Sequence, residues 1–291
     1  MERVAIVGLG LIGGSLALAL RRARSGWRLI GIDADPRALE QAGEENAIDQ
    51  GASLAQAPLH ECDLVVLATP AQALLEMLPG VAARMRPGAV LTDVCGAKEQ
   101  ICAAGAAQDR VVFVGGHPMA GTEYRGFVAA QPALFSGATV ALTCSTGAPD
   151  PKARAAGEQL VRGMWTAAGA EKILDIEPAV HDRAVAFASH LPYLAAAAVV
   201  ESLLHHAGDA AELARDLAAG GFRDTTRLAG DGTVGGAAAL NRFVTSEVRA
   251  LADRLRELAV DLEENPAVVL ERLGQLADHR RRMHLPPGPV R

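Results

Sequence analysis

Glycines near the N-terminus have the spacing of a phosphate-binding turn. Residues 8–13 read GLGLIG, follow the apolar run 3–7 and precede a stretch with helical periodicity. In such a turn the first glycine permits the sharp bend, the second lets a pyrophosphate approach the backbone, and the third lets helix and strand pack closely. The pyrophosphate then lies at the helix N-terminus. We expect this dinucleotide site to comprise Gly8, Gly10, Leu11, Ile12 and Gly13.

Two segments that follow the next predicted strands extend this site. Asp33 ends the second strand about 20 residues beyond the glycines, where a carboxylate accepts hydrogen bonds from ribose hydroxyls and repels a 2′-phosphate. Asp33 therefore favours NAD as the cofactor, while the nearby Arg37 leaves NADP as an alternative. Thr69 and Pro70 end the third predicted strand and are expected to line the cofactor cleft, although they equally suit an ordinary turn before a helix.

His117 has the local sequence of a histidine that does chemistry. It stands between Gly115-Gly116 and Pro118, just after the apolar run 111–114. Ligands of open α/β sheets bind at the carboxyl ends of the strands, where this segment is expected to emerge. A neutral imidazole at that edge can accept the proton of an alcohol while hydride leaves the alcohol carbon. We therefore expect His117 to be catalytic.

Two later segments carry polar residues whose roles are ambiguous when each is taken alone. SHLPY over 189–193 contains His190, which by itself is more typical of a histidine in the protein core. GGFRDTTR over 220–227 contains Arg227, which by itself is more typical of a surface charge.

The periodicity of the chain predicts the elements that position these residues. Short β-branched runs alternate with helical patterns in the first part, which is typical of a parallel sheet covered by helices. After residue 176 the strand patterns give way to long amphipathic patterns, including one over 234–264. We therefore expect a doubly wound, mostly parallel α/β Rossmann domain over residues 1–176 and an all-helical domain over 177–291. Pro192 should kink the first long helix of the second domain. The strands are predicted near 3–7, 28–33, 64–68, 89–93, 111–115 and 138–144.

Composition narrows the class of protein. The formal net charge of −6 argues against a nucleic-acid partner, which requires clustered basic residues. The four cysteines lack the spacing of a zinc site or a disulfide framework, so we expect no metal and a reducing, cytoplasmic location. The longest later apolar run, 191–204, is too short to span a bilayer, so no membrane segment is expected.

Five segments in order give the chain a resemblance to one family. GLGLIGGS, TDVCGAK, GHPMAGTE, SHLPY and GGFRDTTR resemble motifs of the TyrA family of prephenate and arogenate dehydrogenases. The resemblance covers nearly the whole chain. It implies oxidative decarboxylation of prephenate or arogenate with NAD on the route to tyrosine.

The resemblance also implies roles for individual residues. His117 matches the histidine that accepts the ring hydroxyl proton, and Arg227 matches an arginine that binds a substrate carboxylate. Glu123 matches an acid that pairs with this arginine, and His190 matches a histidine near the substrate. The helical domains of the family commonly form dimers, so a homodimer through this domain is expected.

The chain departs from the family pattern at three places close to the expected substrate. Many members have glycine-serine at Cys95-Gly96, where the serine helps to bind the ring hydroxyl. Many have a second histidine at the position of Tyr193, and a tryptophan where this chain has residues 231–236, DGTVGG. Gly96 and Tyr193 are thus expected beside the substrate, and the choice of substrate side chain is left open.

Two other readings remain as alternatives. A β-hydroxyacid dehydrogenase also joins a Rossmann domain to helices, but it uses a catalytic lysine in the helical domain. The lysines here are Lys98, Lys152 and Lys172, all of which precede that domain. The other alternative is an NAD-responsive sensor that has lost the chemistry.

Overall fold

The protein has an α/β part followed by an all-helical part, as predicted. The computed structural model describes residues 2–23, 26–122, 124–143, 146–147, 150–205 and 209–283.

The main sheet is the element that positions the predicted cofactor site. Its strand order is β3-β2-β1-β4-β5-β6-β9, in which the first six strands are parallel and β9 is antiparallel to β6. The order of the six parallel strands is the one found in dinucleotide-binding sheets. The strands are β1 (Arg3–Val7), β2 (Arg28–Ile32), β3 (Gln50–Ala52), β4 (Leu64–Leu67), β5 (Val90–Asp93), β6 (Val112–Val114) and β9 (Thr146–Gly147).

Helices cover both faces of this sheet. Strands β1, β2, β4, β5 and β6 are buried on both sides, which explains their continuous apolar runs. Two apolar clusters result, one containing Leu16 and Trp165 and the other containing Leu74 and Ile101. The helices of this part are α1 (Leu11–Arg22), α2 (Pro36–Glu44), α3 (Ala71–Arg84), α4 (Glu99–Ala106) and α5 (Pro151–Ala167).

A second, three-stranded sheet holds the segment that carries His117. Strand β7 (Gly116–Pro118) pairs antiparallel with β8 (Thr139–Leu142), which pairs parallel with β10 (Lys172–Asp175). The strand predicted near 138–144 therefore lies outside the main sheet, and His117 lies in a short strand rather than a loop. Periodicity identifies a strand but does not identify its partner, which explains both differences.

The helical part begins at Pro178 and differs from the predicted pattern at one break. The long helix expected over 234–264 is interrupted at Asn241, whose side chain binds the backbone at Asp182 and Phe243 instead of facing solvent. Its helices are α6 (Pro178–Val185), α7 (Leu191–His205), α8 (Asp209–Asp216), α9 (Gly220–Thr226), α10 (Val234–Leu240), α11 (Val244–Glu264) and α12 (Pro266–Arg282).

A π-helical turn over Ala186–His190 joins α6 to α7. It ends two residues before Pro192, so the irregularity expected from the proline takes the form of a widened turn. The three segments make one helix of 28 residues, Pro178–His205, with a mean hydropathy of 1.4. Its length and composition alone would allow it to cross a membrane, so the shortness of the run 191–204 does not by itself exclude a span, and the absence of a membrane segment stays a prediction. One such helix is weak evidence for a membrane span, and only 22% of its apolar window is buried within this chain.

Candidate active site

The glycine-rich turn has the geometry expected of a phosphate-binding turn. Gly8 adopts a φ of +95°, and a Cβ there would lie 2.7 Å from the carbonyl oxygen of Ala68. A Cβ on Gly13 would overlap the carbonyl oxygen of Gly8, so the start of α1 packs directly on the turn. A Cβ on Gly10 would meet no atom within 4 Å. The space in front of Gly10 is therefore free for a ligand to approach the backbone.

Asp33 is held beside this turn by backbone hydrogen bonds. Its Oδ2 accepts a hydrogen bond of 2.6 Å from the N–H of Leu9, and its Oδ1 accepts one of 2.8 Å from the N–H of Asp35. These bonds fix the carboxylate at the carboxyl end of β2. Thr69 lies at the same edge, with its Cγ2 3.0 Å from the Cβ position of Gly8. Pro70 is exposed and caps the start of α3.

His117 lies with its Nε2 next to Gly96. The Cβ position of Gly96 is 3.4 Å from this nitrogen and 3.2 Å from the Cβ of Ala237 in α10. The backbone of His117 pairs with Ala141 of β8, which sets the direction of the strand. Because Gly96 has no side chain, no Cβ covers the Nε2 of the half-buried imidazole on this side.

The other ring nitrogen of His117 faces a buried histidine and a carboxylate. His117 Nδ1 lies 2.9 Å from Nε2 of His181, and His181 Nδ1 lies 2.8 Å from Oδ1 of Asp182. His181 and Asp182 belong to α6 and are 1% and 0% exposed. Asp182 also accepts hydrogen bonds from the N–H groups of Lys98 and Glu99, at 2.7 and 2.9 Å. The carboxylate of Asp182 thus caps the start of α4 and also binds His181.

The surroundings of His117 favour its neutral form. Burial, followed by the nearby His181 and the Lys98 ammonium, lowers the pKa of His117 well below 6.5. Lys98 is fully buried, forms an ion pair with Asp93 and donates a 2.7 Å hydrogen bond to the carbonyl oxygen of Gly116. Burial alone would lower the pKa of Lys98, but the charge and hydrogen bond of Asp93 together with Cys95 and Cys102 outweigh burial and raise that pKa. Lys98 therefore stays cationic below the histidine.

His190 is buried in the π-helical turn and is held by Asn241. Its Nδ1 lies 3.2 Å from the Nδ2 of Asn241, which also donates a 2.6 Å hydrogen bond to the carbonyl oxygen of Asp182. Burial lowers the pKa of His190 to about 4, so this side chain is neutral at physiological pH. His190 is thereby linked through Asn241 to the helix that carries His181.

Small residues at the start of α10 pack closely on both parts of the chain. The Cβ position of Gly235 is 3.2 Å from the hydroxyl oxygen of Tyr193, and that of Gly236 is 3.7 Å from the Cβ of Ala71. In the segment where many members of the resembled family have a tryptophan, two glycines thus bring the backbone of α10 close to Tyr193 and Ala71. Tyr193 fills part of this space from α7.

The remaining predicted site residues are less closely defined. Leu11 and Ile12 lie in the first turn of α1, directly after Gly10. Arg227 is exposed and begins a 3₁₀ turn, Arg227–Gly230, that packs against α7. Its role in binding a carboxylate stays a prediction. Glu123 lies outside the described residues.

Sequence reasoning missed the residues behind His117. Lys98 and Asp93 stand in the TDVCGAK motif but received no role, and His181, Asp182 and Asn241 were not singled out. The signal available for two of them was an adjacent histidine and aspartate, HD, at the start of a predicted helix. Among the described residues there is no group of three or more histidine, cysteine or acidic side chains that could hold a metal.

Comparison with known proteins finds similarity along most of the chain. Residues 16–171 match the family model described as prephenate dehydrogenase, nucleotide-binding domain, and residues 177–257 match prephenate dehydrogenase, dimerization domain. The prephenate dehydrogenase of Bacillus subtilis is 34% identical over 231 residues. The matched region covers 78% of this chain and 60% of the length of that enzyme.

Two solved structures are similar over nearly their full length. Arogenate dehydrogenase from Synechocystis has a TM-score of 0.73 and 33% identity, covering 96% of this chain and 99% of its own. Prephenate dehydrogenase from A. aeolicus, solved with hydroxyphenyl propionate and NAD+, has a TM-score of 0.84 and 28% identity, covering 98% of this chain and 99% of its own.

Proposed function

Because this chain belongs to the prephenate dehydrogenase family, we propose that it catalyses the NAD-dependent oxidative decarboxylation of prephenate or arogenate in tyrosine biosynthesis. The products would be 4-hydroxyphenylpyruvate or tyrosine, with carbon dioxide and NADH. The observation that carries the proposal is the position of His117. Its Nε2 lies 3.4 Å from the point that a Cβ on Gly96 would occupy. Its other ring nitrogen is in contact with His181.

The residues of the N-terminal turn fit NAD. The open space in front of Gly10 suits a pyrophosphate, and the fixed carboxylate of Asp33 suits the hydroxyls of an adenosine ribose. Bound NAD supplies the acceptor for the hydride that leaves the substrate ring.

His117 moves the proton in the proposed reaction. Its neutral Nε2 accepts the proton of the ring hydroxyl as hydride leaves the same carbon. When the ring carboxylate departs as carbon dioxide, its electron pair aromatises the ring and leaves a phenolate oxygen. The imidazolium returns the proton to that oxygen, so no proton is consumed overall.

Residues of the helical part are proposed to orient the substrate. Arg227 would bind a carboxylate of the substrate, with Glu123 near it, and His190 and Tyr193 would lie beside the ring or side chain. A charge-assisted contact of this kind contributes about 1.5–3 kcal/mol. The side chain of prephenate ends in a keto acid and that of arogenate in an amino acid, so the polar groups near Tyr193 would decide between them.

The two alternatives have less support. A β-hydroxyacid dehydrogenase requires a lysine amine that reaches the substrate, whereas the ammonium of Lys98 is fully buried and paired with Asp93. An NAD-responsive sensor that has lost catalytic activity does not require a neutral His117 whose Nε2 is free to accept a proton.

We also propose that the chain forms a homodimer through its helical part and acts in the cytoplasm. Residues 177–257 match a domain described as a dimerization domain. Helix α7 is apolar and largely uncovered within the chain, which suits a surface that a second copy covers.

The experiment that tests the function is an assay of NADH formation by the purified protein. Prephenate and arogenate are offered separately, each with NAD and with NADP. We expect turnover with NAD, and the ratio of kcat/KM values identifies the preferred substrate. Binding of NAD without turnover of either substrate would contradict the proposal and favour the sensor.

A further inference from the structure

We propose that His181 and Asp182 are positioning residues, which hold His117 in the tautomer that carries its proton on Nδ1 and leaves Nε2 free as the base. This inference rests on the proposed function for its catalytic meaning. It assigns a role to two buried side chains of α6 that contact neither the glycine turn nor Gly96 in the described contacts. The rings of His117 and His181 and the carboxylate of Asp182 form one hydrogen-bonded row, which joins the two parts of the chain.

The direction of the row follows from its last member. A carboxylate can only accept, so the 2.8 Å contact between Asp182 Oδ1 and His181 Nδ1 places a proton on that nitrogen. Neutral His181 then has a lone pair on Nε2. The 2.9 Å contact from this lone pair to His117 requires the proton on Nδ1 of His117. The lone pair of His117 is left on Nε2, which is the nitrogen beside Gly96.

The environment of Asp182 keeps it ionised. Burial alone would raise the pKa of Asp182, but the hydrogen bonds from His181 and from the N–H groups of Glu99 and Lys98 outweigh it and lower that pKa. These two N–H groups lie at the start of α4 and are fixed by the helix backbone. The last acceptor of the row is therefore constant in charge and position.

The opposite arrangement would put a proton on both nitrogens of His181 and on Nε2 of His117. It would place an additional positive charge on His181, a ring that is only 1% exposed, and taking such a charge out of water is costly. Asp182 is the one carboxylate in contact with the row among the described contacts, and because it touches His181 it would offset part of that cost. The two arrangements place the proton of His117 on different ring nitrogens, so a measurement of the tautomer distinguishes them.

The tautomer is measured directly on the protein without substrate or NAD. Long-range ¹H–¹⁵N spectra of histidine-labelled protein distinguish protonated from unprotonated ring nitrogens, and His117→Asn assigns the resonances of His117. We expect His117 to carry its proton on Nδ1 at neutral pH. A proton on Nε2 would overturn the inference, whether or not the protein turns over prephenate.

The catalytic consequence is measured with two amide substitutions at one position. The oxygen of Gln in His181→Gln can take the place of Nε2 and accept from His117, whereas the amide in His181→Asn reaches only the place of Nδ1. We expect His181→Asn to lower kcat by about 100-fold with little change in KM, and His181→Gln to recover at least about tenfold of this loss. Equal turnover in the two variants would overturn the positioning role.

Arg242→Gln is the matched control for loosening of the junction, by which we mean the contact between α4 and the helical part. Arg242 binds the carboxylate of Glu99 at 2.6 and 2.9 Å, at the same end of α4, but it is exposed and lies outside the row. We expect its kcat to match that of the wild type. A similar fall in kcat in Arg242→Gln and His181→Asn would show that the junction and not the tautomer matters, and would overturn the inference. If no variant and no wild-type protein turns over either substrate, the proposed function fails, while the tautomer measurement still decides the inference.

Discussion

The imidazole of His117 has one ring nitrogen at Gly96 and the other at His181, so a single side chain meets both the proposed substrate and the buried interior. Replacing it with asparagine keeps a polar group of similar size but removes the base. We expect His117→Asn to lower kcat by about 100-fold or more with a modest effect on KM. Steady-state kinetics with the better substrate measures both constants, and near-normal turnover would contradict the catalytic role.

The acid limb of the pH profile should report the same residue. Burial and the neighbouring His181 and Lys98 lower the pKa of His117 well below 6.5, and the reaction needs the deprotonated form. Lowering the pH from neutrality to 6.5 should therefore leave kcat/KM nearly constant, and the fall should come at lower pH. The profile of kcat/KM reports the free enzyme. A midpoint at or above 6.5 would contradict the environment described for His117.

At the residue scale the sequence revealed side chains that stand in compact local motifs. Gly8, Gly10 and Asp33 lie within one strand-turn-helix-strand unit, and His117 lies among glycines, so spacing alone identified them. His181 is 64 residues from His117 in sequence, and nothing local to either shows that a nitrogen of one ring lies 2.9 Å from a nitrogen of the other. That contact depends on how the helical part packs on the sheet.

At the scale of the elements, the glycine turn and α1 make two glycines respond differently to the same substitution. In Gly10→Ala the added methyl group meets no protein atom, so folding should be unaffected, but it occupies the space in front of the turn. In Gly13→Ala it overlaps the carbonyl oxygen of Gly8 and should push α1 away from β1. We expect Gly10→Ala to keep the wild-type Tm and lose at least about tenfold in NAD affinity, which corresponds to 1.4 kcal/mol.

Thermal melts and NAD titrations of both glycine variants check this contrast. Gly13→Ala should lower Tm even without NAD, since a buried steric overlap typically costs about 1–3 kcal/mol. The description of the turn would be wrong if Gly10→Ala destabilised the protein as much as Gly13→Ala.

The π-helical turn should make the stability of the protein depend on pH. His190 has a pKa of about 4 when folded and 6.5 as its ordinary value. As the pH falls from 6.5 to 4, the unfolded chain binds a proton that the folded chain does not, so the free energy of unfolding falls. Below pH 4 both states bind it and the loss is complete. The loss from His190 should be about 3 kcal/mol.

Urea unfolding of the wild type and of His190→Gln across this interval isolates the contribution. Other titrating groups affect both proteins alike, so the variant should lose about 3 kcal/mol less. Parallel losses in the two proteins would mean that His190 binds its proton equally in the folded and unfolded states, and would contradict the lowered pKa.

The elements themselves were predictable to different degrees. Strands β1, β2 and β4 are apolar and buried on both faces, so their periodicity and bounding residues located them. Strand β7 has three residues, including a glycine and a proline, and no pattern distinguishes it from a loop. The break at Asn241 was also invisible in the apolar spacing of α10 and α11, because it comes from hydrogen bonds of that side chain to Asp182 and Phe243.

At the scale of the whole molecule, the apolar face of the helical part should hold two copies together. Val199 of α7 is 39% exposed within one chain. A glutamate there would be buried without a partner in a dimer, which is costly. We expect Val199→Glu to shift the protein from dimer to monomer in analytical ultracentrifugation.

Val128→Glu is the matched control for this shift. Val128 is 82% exposed and lies in the α/β part, outside the residues that match the dimerization domain. It should leave the dimer intact. A monomeric wild type, or a dimer that survives Val199→Glu, would contradict an interface at α7.

The order of the two parts along the chain was predictable from the change of periodicity near residue 176, and the confirmed fold has a Rossmann sheet followed by helices. Their relative placement was not predictable. It depends on contacts between distant small residues, such as Gly236 with Ala71 and Ala237 with Gly96, which carry no pattern of their own in the sequence.

The cap that Asp182 makes on α4 has a mechanical consequence. The same carboxylate holds the N–H groups at the start of α4, in the α/β part, and the ring of His181, in the helical part. A displacement of α6 relative to α4 would therefore break the helix cap and draw His181 away from His117 in the same movement. The alignment of the base thus depends on how the two parts pack at this one carboxylate.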